Sequence, residues 1–386
     1  MADRELYSSA EVVAATGGRL DGRPPSSLGG VSIDSRAIAA GDIFVAIKGD
    51  RLDGHEFAAA ALAAGAGLAI VSRPTPAMRE QGALLIVTDP LEALRQLARR
   101  ARARSGATII AVTGSVGKTG TKEALRLALT GEGPTHASAS SFNNHWGVPL
   151  SLARMAQDAR FGIFEIGMNH AGEITPLVAM VRPHIAIITA IAESHLGHFK
   201  SVDDIALAKS EIFSGVEAPG AAIINRDSPH YDRLAAAARS HGVRDIHGFG
   251  RHPSADIRLI GASLGQGSSS VTAAILGEAV AYTLGQPGEH IVMNSLAVLG
   301  AAKLAGADTA RAAGALAGLS PPKGRGVRYR LAAPSGHLVL IDESYNANPA
   351  SMRAALAVLA GNQPGRGGRR LAVLGDMLEL GEHGDG

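Results

Sequence analysis

The run TGSVGKT, at residues 113–119, combines the residue types that a phosphate-binding loop needs. Its two glycines let the backbone turn so that successive N–H groups point at one place, and the helix that follows adds the positive end of its dipole. Lys118 can reach the outer phosphates of a nucleotide, and the Thr119 hydroxyl can hold magnesium. The candidate nucleotide-binding residues of this loop are Thr113, Gly114, Ser115, Val116, Gly117, Lys118 and Thr119.

The spacing of this loop separates it from the general P-loop of kinases and GTPases, in which the first glycine stands six residues before the lysine. Here that position is Val112. A simple turn in a glycine-rich chain would explain any two of the loop residues, and such a turn would bind no nucleotide. The strand-like run TIIAV before the loop and the helical pattern KEALRLAL after it together favour a nucleotide site.

Two polar residues are associated with apolar runs that are typical of buried strands: Glu165 lies inside one run, and His195 follows another. Glu165 lies inside FGIFEIG, where burying an unpaired carboxylate would cost roughly several kcal/mol. We therefore expect a positively charged partner. His195 follows IAIITAI, at the carboxyl end of a strand, where open α/β sheets bind ligands. A structural salt bridge and a plain surface histidine are the alternative interpretations of these two residues.

The phosphate-binding loop, Glu165 and His195 must be positioned by secondary structure, and continuous apolar runs indicate where its strands lie. The runs TIIAVTG, FGIFEIG, IAIITAI and AAIIN are each followed by polar or helical sequence, which predicts a parallel sheet covered on both faces. Alternating segments between residues 255 and 284 predict antiparallel strands added to that sheet. Shorter runs at 41–47, 66–72 and 83–89 indicate a small α/β unit that precedes it.

The length of the chain indicates that it contains more than one domain. Its 386 residues exceed what one hydrophobic core usually organises. We predict an α/β protein with a small first domain at 1–103, a central domain at 104–319 and a third at 320–386. The third contains a strand at 337–341, a helix, and a second strand at 369–374. A doubly wound domain needs more strands than one such βαβ unit supplies, so we expect this domain to be incomplete.

Composition narrows the class of protein. There is no cysteine, which excludes disulfides, cysteine-ligated zinc and a cysteine nucleophile. The net charge of +2 gives little reason to expect a nucleic-acid partner. The arginine-rich run LEALRQLARRARAR has its leucines at helical spacing, which predicts a helix with a solvated basic face. Neither a signal peptide nor an apolar run of the roughly 18 residues of a membrane span is visible. We expect a cytoplasmic monomer.

The short loop resembles that of the Mur ligases and the folylpolyglutamate synthases. Further segments follow in the order found in the Mur ligases that add D-alanyl-D-alanine: SIDSRAIAAGDIFVAIKGDRLDGHEF, SFNNHWGVPLSL, EIGMNHAGEI, ESHLGHF, AKSEIF, GEHIVMNSLA, GRG, DESYNANPASM and VLGDMLELGE. The similarity runs from about Val31 to the last residues, and DESYNANP is its most specific part. Ala190, Ala192 and Ser194 stand where this family is expected to have Asn, Gly and Ala.

This resemblance implies a three-domain Mur ligase architecture. A small UDP-sugar-binding domain would precede a central P-loop ATPase domain with a mostly parallel sheet and a Rossmann-like third domain. The implied activity is ATP-dependent amide bond formation in peptidoglycan precursor synthesis. The carboxylate of a UDP-N-acetylmuramoyl-tripeptide would be activated as an acyl phosphate and then attacked by the amine of D-alanyl-D-alanine. The implied cofactors are ATP and Mg²⁺.

The resemblance also implies roles for single residues. Magnesium would be held by Thr119, Glu165 and His195. Catalysis would involve Lys118, His195 and Lys209. Lys209 would lie near the metals, with or without carbamylation; an ordinary lysine on a helix surface is the alternative. Further contacts with ATP would be made at the adenine, the terminal phosphate and the ribose by Asn294, Arg325 and Asp342, respectively.

The first domain would bind the UDP end of the substrate. The residues that the resemblance indicates for this role are Ser35, Arg36, Asp53, Gly54 and His55. The muramoyl peptide would be contacted by Asn143 and Asn144. Ser, Asp and Asn are common in turns and helix caps, so without the family these positions would be interpreted as structural.

Two other functions stay open. A sibling Mur ligase would use the same chemistry to add a different amino acid. A non-catalytic protein would bind nucleotide and UDP-sugar without joining the substrates.

Overall fold

The computed structural model describes residues 5–139, 141–193, 196–333 and 336–377. The chain divides into two compact units. The first comprises Met1–Ala107 and Ser141–Ala159, and the second comprises Thr108–Ser140 and Arg160–Gly386. The division into three domains at residues 103 and 319 stays a prediction.

Strands and helices alternate in the first hundred residues. They are β1 (Tyr7–Ser8), α1 (Ser9–Thr16), β2 (Arg19–Asp21), β3 (Ser27–Leu28), β4 (Val31–Ser32), β5 (Ile43–Val45), α2 (His55–Ala63), β6 (Leu68–Val71), α3 (Pro76–Gln81), β7 (Leu84–Ile86) and α4 (Pro90–Arg104). A sheet in the order β2-β7-β6-β5-β4 forms the centre of this unit. Strands β4 to β7 are parallel, and β2 is antiparallel at the edge. The predicted small α/β unit is therefore confirmed.

Helix α4 contains the arginine-rich run. Leu94 and Leu97 are fully buried, and the Arg99 side chain is 54% exposed, as the predicted solvated face requires. The prediction is wrong for Arg102, which is 5% exposed, and for Arg104, whose side chain is only 8% exposed. Arg104 packs against an aromatic ring of the same unit. Its guanidinium lies 4.2 Å from the centroid of the Tyr7 ring. The last turn of α4 therefore contributes to the core of the first unit.

From residue 108 onwards the elements are longer. They are β8 (Thr108–Thr113), α5 (Lys118–Thr130), β9 (Thr135–Ala137), α6 (Gly147–Ala153), β10 (Phe161–Glu165), α7 (Ile174–Val181), β11 (Ile185–Ile188), α8 (Val202–Ser210), β12 (Ala221–Asn225), α9 (Tyr231–Ser240), β13 (Asp245–Gly250), β14 (Ile257–Leu264), β15 (Ser269–Ile275), β16 (Glu278–Leu284), α10 (Glu289–Leu304), α11 (Thr309–Ala315), β17 (Val327–Ala333), β18 (Gly336–Asp342) and α12 (Pro349–Gly361). Of these, α6 belongs to the first unit. Short 3-10 helices lie at Ser35–Ala37, Leu196–His198, Glu211–Gly215 and Leu316–Gly318.

A sheet of nine strands forms the centre of the second unit, in the order β16-β15-β14-β13-β12-β11-β8-β10-β9. Strands β8 to β14 are parallel, and β15 and β16 continue the sheet antiparallel. Helices α5 and α10 pack on it through a cluster of buried aliphatic side chains. Both the parallel sheet and its antiparallel extension agree with the prediction. In a parallel sheet the carboxyl ends of the strands meet at one edge, which positions the loops that follow β8, β10 and β11 side by side.

The last described stretch differs from the predicted βαβ unit. Strand β18 pairs with β17 as an antiparallel hairpin, and α12 follows. The segment 369–374 forms no strand within the described residues, so that part of the prediction is wrong. A ladder needs a partner for its backbone N–H and C=O groups, and no described segment pairs with this one. Its apolar side chains are exposed to solvent, and Val373 is 90% exposed.

No helix in the described ranges combines the length and the apolar content needed to cross a membrane.

Candidate active site

The loop between β8 and α5 depends on its two glycines. Gly114 has φ of +149° and Gly117 has φ of +88°, values that L side chains rarely adopt. A Cβ atom at Gly114 would lie 2.0 Å from the Thr189 hydroxyl, and one at Gly117 would lie 2.6 Å from Nδ2 of Asn294. Glycine is therefore required at both positions by conformation and by space.

The chain that follows β11 holds this loop in place. The Ser115 N–H donates to the Ala190 carbonyl at 2.7 Å, and the Ser115 hydroxyl donates to the Ala192 carbonyl at 2.9 Å. The Thr189 hydroxyl donates to the Val116 carbonyl at 2.6 Å. Two of these acceptors are carbonyls of residues that depart from the family pattern. Because a backbone carbonyl does not depend on the side chain, the loop keeps its support despite those departures.

Lys118 is the first residue of α5, and its side chain curls back over the loop. Its ammonium donates to the Gly114 carbonyl at 2.8 Å. The surrounding protein lowers the pKa of Lys118 by desolvation, the Arg325 charge lowers it further, and the Glu165 carboxylate opposes both effects. The charges of Lys118 and Arg325 are therefore near enough to repel each other. An anion bound between them would relieve their repulsion.

Thr119 and Glu165 meet beside the loop. The Thr119 hydroxyl donates to the Glu165 carboxylate at 2.9 Å, and Glu165 is only 1% exposed. The prediction that Glu165 lies in a buried strand is confirmed. Both residues offer the oxygen ligands that Mg²⁺ prefers.

His195 lies outside the described residues, so its predicted role as a metal ligand stays a prediction. Among the described residues, no cluster of three His, Asp or Glu side chains could hold a metal ion. The support for a metal at this site therefore comes from Thr119 and Glu165 together.

Lys209 lies near the end of α8 and is 1% exposed, which excludes the alternative of a surface lysine. Burial lowers the pKa of Lys209 well below its ordinary value of 10.5, and the neighbouring Lys118 lowers it further. Both effects favour the neutral form of the amine more than in an exposed lysine.

Arg325 and Asp342 lie in the part of the second unit built from β17, β18 and α12. The Arg325 guanidinium lies 4.3 Å from the centroid of the Tyr345 ring. Asp342 accepts hydrogen bonds from the Ser344 hydroxyl at 2.6 Å and the Ser344 N–H at 3.1 Å. These bonds lower the pKa of Asp342, the hydroxyl having the larger effect. The carboxylate therefore stays ionised and can accept hydroxyl groups.

A cavity of about 750 Å³ connects the phosphate loop to this region. Its lining includes Ser115, Lys118, Asp342, Ser344, Asn348 and Met352. The sequence reasoning missed the contribution of Ser344 and Asn348, although both stand in or beside the segment DESYNANP that it singled out. A cavity of this size lies within the range of about 300–1,000 Å³ typical of small-ligand sites.

Asp53 and His55 are joined by several bonds in the first unit. The Ser72 N–H donates to His55 Nε2 at 3.0 Å. The other ring nitrogen, Nδ1, must then carry the proton that it shares with Asp53 across 2.7 Å. The His55 backbone N–H and the His55 ring lower the pKa of Asp53 to about 2, and Arg73 adds a smaller contribution. Arg73, which the sequence reasoning missed, forms an ion pair with Asp53.

The other predicted substrate residues of the first unit occupy caps and turns. Arg36 forms a two-pronged contact with Asp34, at 2.9 Å and 2.7 Å, just after Ser35 begins a 3-10 helix. A Cβ at Gly54 would lie 2.6 Å from the Ile47 carbonyl oxygen, so the loop needs glycine there. Asn144 accepts the Gly147 N–H at 2.9 Å. These contacts position the loops, and no ligand contact follows from them alone.

The structure thus brings one set of predicted residues together in the second unit. Lys118, Thr119, Glu165 and Lys209 surround the phosphate loop, Asn294 contacts the loop at Gly117, and Arg325 and Asp342 approach from the C-terminal part. The other set, Ser35, Arg36, Asp53, Gly54, His55, Asn143 and Asn144, lies in the first unit.

Comparison with known proteins agrees with this geometry. Residues 112–302 match the Mur ligase middle domain, and residues 27–102 match the Mur ligase family, catalytic domain. The UDP-N-acetylmuramoyl-tripeptide--D-alanyl-D-alanine ligase of Rickettsia prowazekii is 36% identical over 352 residues, which cover 91% of this chain and 76% of that protein. The chain belongs to the Mur ligase family. The Escherichia coli ligase of the same name is also 36% identical, over 92% of this Mur ligase chain and 76% of its own length.

Solved Mur ligase structures share the fold. A crystal structure of MurF from Acinetobacter baumannii matches with a TM-score of 0.85 at 34% identity, covering 98% of this chain and 81% of that one. MurF ligase from Thermotoga maritima, solved in complex with ADP, matches with a TM-score of 0.76 at 26% identity, covering 92% and 79%. The Mur ligase architecture predicted from the sequence is therefore confirmed.

Proposed function

We propose that this Mur ligase joins D-alanyl-D-alanine to the terminal carboxylate of a UDP-N-acetylmuramoyl-tripeptide, with ATP as the source of activation, in peptidoglycan precursor synthesis. Relatives at 36% identity carry the name of this activity, and the ADP complex of a neighbouring structure supports the use of ATP. The observation that carries the proposal is the Thr119–Glu165 pair beside the phosphate loop, where Lys118 donates to the Gly114 carbonyl and lies within reach of the Arg325 charge.

The site suits the activation of a carboxylate. An acid does not condense with an amine at neutral pH, because its oxygen is a poor leaving group, and phosphorylation converts that oxygen into a good one. Lys118 and Arg325 would meet the charge of the transferred phosphoryl group. The acyl phosphate would then be attacked by the amine of the dipeptide. Positioning and charge stabilisation account for this chemistry without a protein nucleophile.

Magnesium is the second proposed cofactor. The donor set fits a hard cation, because the Thr119 hydroxyl and the Glu165 carboxylate oxygen lie 2.9 Å apart at the edge of the phosphate loop. These two residues would hold the ion, with His195 as a further proposed ligand. When bound, the ion would neutralise phosphate charge and polarise the transferred group.

Lys209 is proposed as a functional group of the same site, in carbamylated form. Burial and the Lys118 charge favour the neutral form of its amine, and a neutral amine can add to the carbon of CO₂ while its proton leaves to solvent. The product is a carbamate, whose negative charge would be attracted to Lys118. A carbamate signal in the ¹³C spectrum of protein equilibrated with labelled bicarbonate, absent from Lys209→Ala, would support this state.

The remaining predicted residues complete the proposal. Asn294 is assigned to the adenine and Asp342 to the ribose hydroxyls. The UDP end is assigned to Ser35, Arg36, Asp53, Gly54 and His55 in the domain at 1–103, and the muramoyl peptide to Asn143 and Asn144. The domains at 104–319 and 320–386 would bind ATP and the dipeptide. A monomer in the cytoplasm, where these substrates would be made, is part of the same proposal.

A product assay tests this function. The chain is incubated with ATP, Mg²⁺ and the UDP-tripeptide, either with D-alanyl-D-alanine or with single amino acids. The proposal requires phosphate release that depends on the dipeptide, and a product whose mass includes both alanines. A product formed only with a single amino acid would assign a sibling activity instead. Binding of both nucleotides without dipeptide-dependent phosphate release would favour a non-catalytic protein.

A further inference from the structure

Arg325 lies in a loop that is hydrogen-bonded on both sides to the end of β18 and the segment that follows it. The Tyr345 N–H donates to the Gly324 carbonyl at 3.1 Å, and the Gly326 N–H donates to the Asp342 carbonyl at 2.8 Å. Gly324 has φ of +73°, and a Cβ atom there would lie only 3.0 Å from the Tyr345 Cβ. The two segments can approach this closely because position 324 has no side chain. The backbone therefore fixes Arg325 beside Tyr345.

The side chains of Arg325 and Tyr345 are stacked. The guanidinium carbon lies 4.3 Å from the ring centroid, well inside the roughly 6 Å limit of a cation–π contact. Within the described residues Arg325 makes no ion pair with a carboxylate. Glu343 is near enough for the Arg325 charge to oppose the burial that raises the Glu343 pKa, but it forms no ion pair with Arg325.

The absence of a carboxylate partner matters for what Arg325 can do. An ion pair would neutralise the guanidinium charge and occupy its N–H groups. The carboxylate would then compete with any phosphate for these donors. An aromatic ring contacts only the face of the guanidinium, so the N–H donors at its edge and its charge stay available. Tyr345 can therefore fix the plane of Arg325 without reducing its affinity for an anion.

The fixed guanidinium acts on the phosphate loop. The Arg325 charge contributes to lowering the pKa of Lys118, after the larger effect of desolvation. Lys118 in turn donates to the Gly114 carbonyl inside the loop. An anion held between Lys118 and Arg325 would lie at the outer end of a phosphate chain that is bound by the loop.

We propose that Tyr345 is a positioning residue, whose ring aims the Arg325 guanidinium at the outermost phosphate of the nucleotide. This inference rests on the proposed function, because it takes that anion to be the terminal phosphate of ATP. ADP lacks this phosphate. The ring should therefore affect the binding of ATP more than that of ADP, whereas a ring that only stabilises the fold would affect both equally.

Nucleotide binding by the full chain tests the proposal. Wild type, Tyr345→Phe and Tyr345→Leu are titrated with ADP and with a non-hydrolysable β,γ-methylene analogue of ATP, using calorimetry. The phenylalanine variant keeps the ring and should bind both ligands as the wild type does. The leucine variant should lose roughly three- to thirty-fold in affinity for the ATP analogue, the range expected for a cation–π contact. Its affinity for ADP should stay within about two-fold of the wild type, the ordinary scatter of such measurements.

A second pair of variants tests whether the effect passes through Arg325. Arg325→Met removes the cation that the ring contacts, so no cation–π interaction is left. Adding Tyr345→Leu to Arg325→Met should cause no further loss for the ATP analogue, whereas additive losses would mean that the two residues act separately. Equal weakening of both nucleotides by Tyr345→Leu, or the same loss in Tyr345→Phe, would overturn the proposal. A wild-type chain that binds neither nucleotide would overturn the proposed function as well, and this outcome is distinguishable from the others.

Discussion

The Thr119 hydroxyl donates a hydrogen bond to the Glu165 carboxylate at 2.9 Å, which joins the first turn of α5 to the end of β10. Strand β10 pairs with β8 so that Glu165 stands opposite Val112, just before the phosphate loop. The pairing register therefore fixes the position of the carboxylate relative to the loop. Two oxygen ligands from different elements at one edge of the sheet would supply two of the six positions of the proposed magnesium site, and substrate phosphates and water normally complete such a site.

Replacing Glu165 with glutamine should raise the magnesium concentration needed for ATP turnover. A neutral amide is a much weaker ligand for a hard cation than a carboxylate, and losses at metal sites are typically about ten- to a hundred-fold in affinity. The amide can still accept the Thr119 hydrogen bond, so the fold should persist. A magnesium titration of the ATPase or ligase activity measures the shift. Glu80→Gln, at an exposed position of α3, is the control, and an unaltered titration for Glu165→Gln would return this residue to a structural role.

Lys118→Ala should abolish ATP turnover while the protein stays folded. The ammonium is one of the two cations proposed to meet the outer phosphates, and removing a group of this kind typically lowers kcat by roughly a hundred-fold or more. Among the described residues, the Lys118 ammonium donates to a loop carbonyl and pairs with no carboxylate, so the melting temperature should change little. Lys303→Ala, on α10 and paired with Glu278, is the matched control for removing a lysine. ATP hydrolysis at the wild-type rate in Lys118→Ala would disprove the assignment of the phosphate loop.

Lys209→Met should stabilise the protein at neutral pH while abolishing its ligase activity. The folded-state pKa of Lys209 lies well below the ordinary value of 10.5. At a pH between the folded-state pKa of Lys209 and 10.5, the unfolded chain binds a proton that the folded chain does not. The free energy of unfolding therefore falls as the pH drops from 10.5. Methionine fills similar space without this penalty. In CO₂-free buffer its melting temperature at pH 7 should exceed that of the wild type by roughly a few degrees.

The pH dependence separates this effect from simple repacking. The difference between Lys209→Met and wild type should shrink as the pH rises through 10.5, because above that value Lys209 is neutral in both the folded and the unfolded wild-type chain. Lys122 supplies the control, because it is also fully buried but donates to the Ser138 carbonyl at 2.7 Å and pairs with Glu123 at 2.9 Å. Lys122→Met should therefore lower stability. A Lys209→Met variant that melts below wild type at pH 7 would contradict a destabilising effect of burying this amine.

Much of the second unit could be predicted from the sequence. Long apolar runs followed by helical pattern identify parallel strands regardless of their partners, which explains why the order of elements around Gly114–Thr119 was predictable. The burial of Glu165 followed from its apolar neighbours for the same reason. The chemistry at Lys209 was harder to predict, because the pattern AKSEIF does not reveal which face of α8 is covered. Burial settled the question only in three dimensions.

Three features could not be derived from pattern. Arg104 is buried because Tyr7, almost a hundred residues away, offers a ring for it to stack on. The segment 369–374 has the composition of a strand, but a strand exists only with a hydrogen-bonding partner, and composition does not name one. Tyr345 stands in a segment that the sequence already singled out. Its contact with Arg325 depends on Gly324 adopting a positive φ, which the sequence permits but does not require.

Two glycines three residues apart, Gly117 and Gly120, allow a direct test of whether the geometry of the phosphate loop governs nucleotide affinity. Gly117 has φ of +88°, and its Cβ would meet Nδ2 of Asn294 at 2.6 Å, so Gly117→Ala combines backbone strain with a steric clash. Either the loop opens or Asn294 moves, and both outcomes should reduce ATP affinity by roughly ten-fold or more, since strain of this kind costs about 1–3 kcal/mol. Gly120 lies in α5 with nothing within 4 Å of its Cβ position. Gly120→Ala should therefore bind ATP normally and melt slightly higher, because alanine is the better helix former by about 1 kcal/mol. Calorimetric titration and thermal melts of both variants measure these effects, and ATP binding by Gly117→Ala that equals that of Gly120→Ala would show that the loop geometry described here does not govern nucleotide affinity.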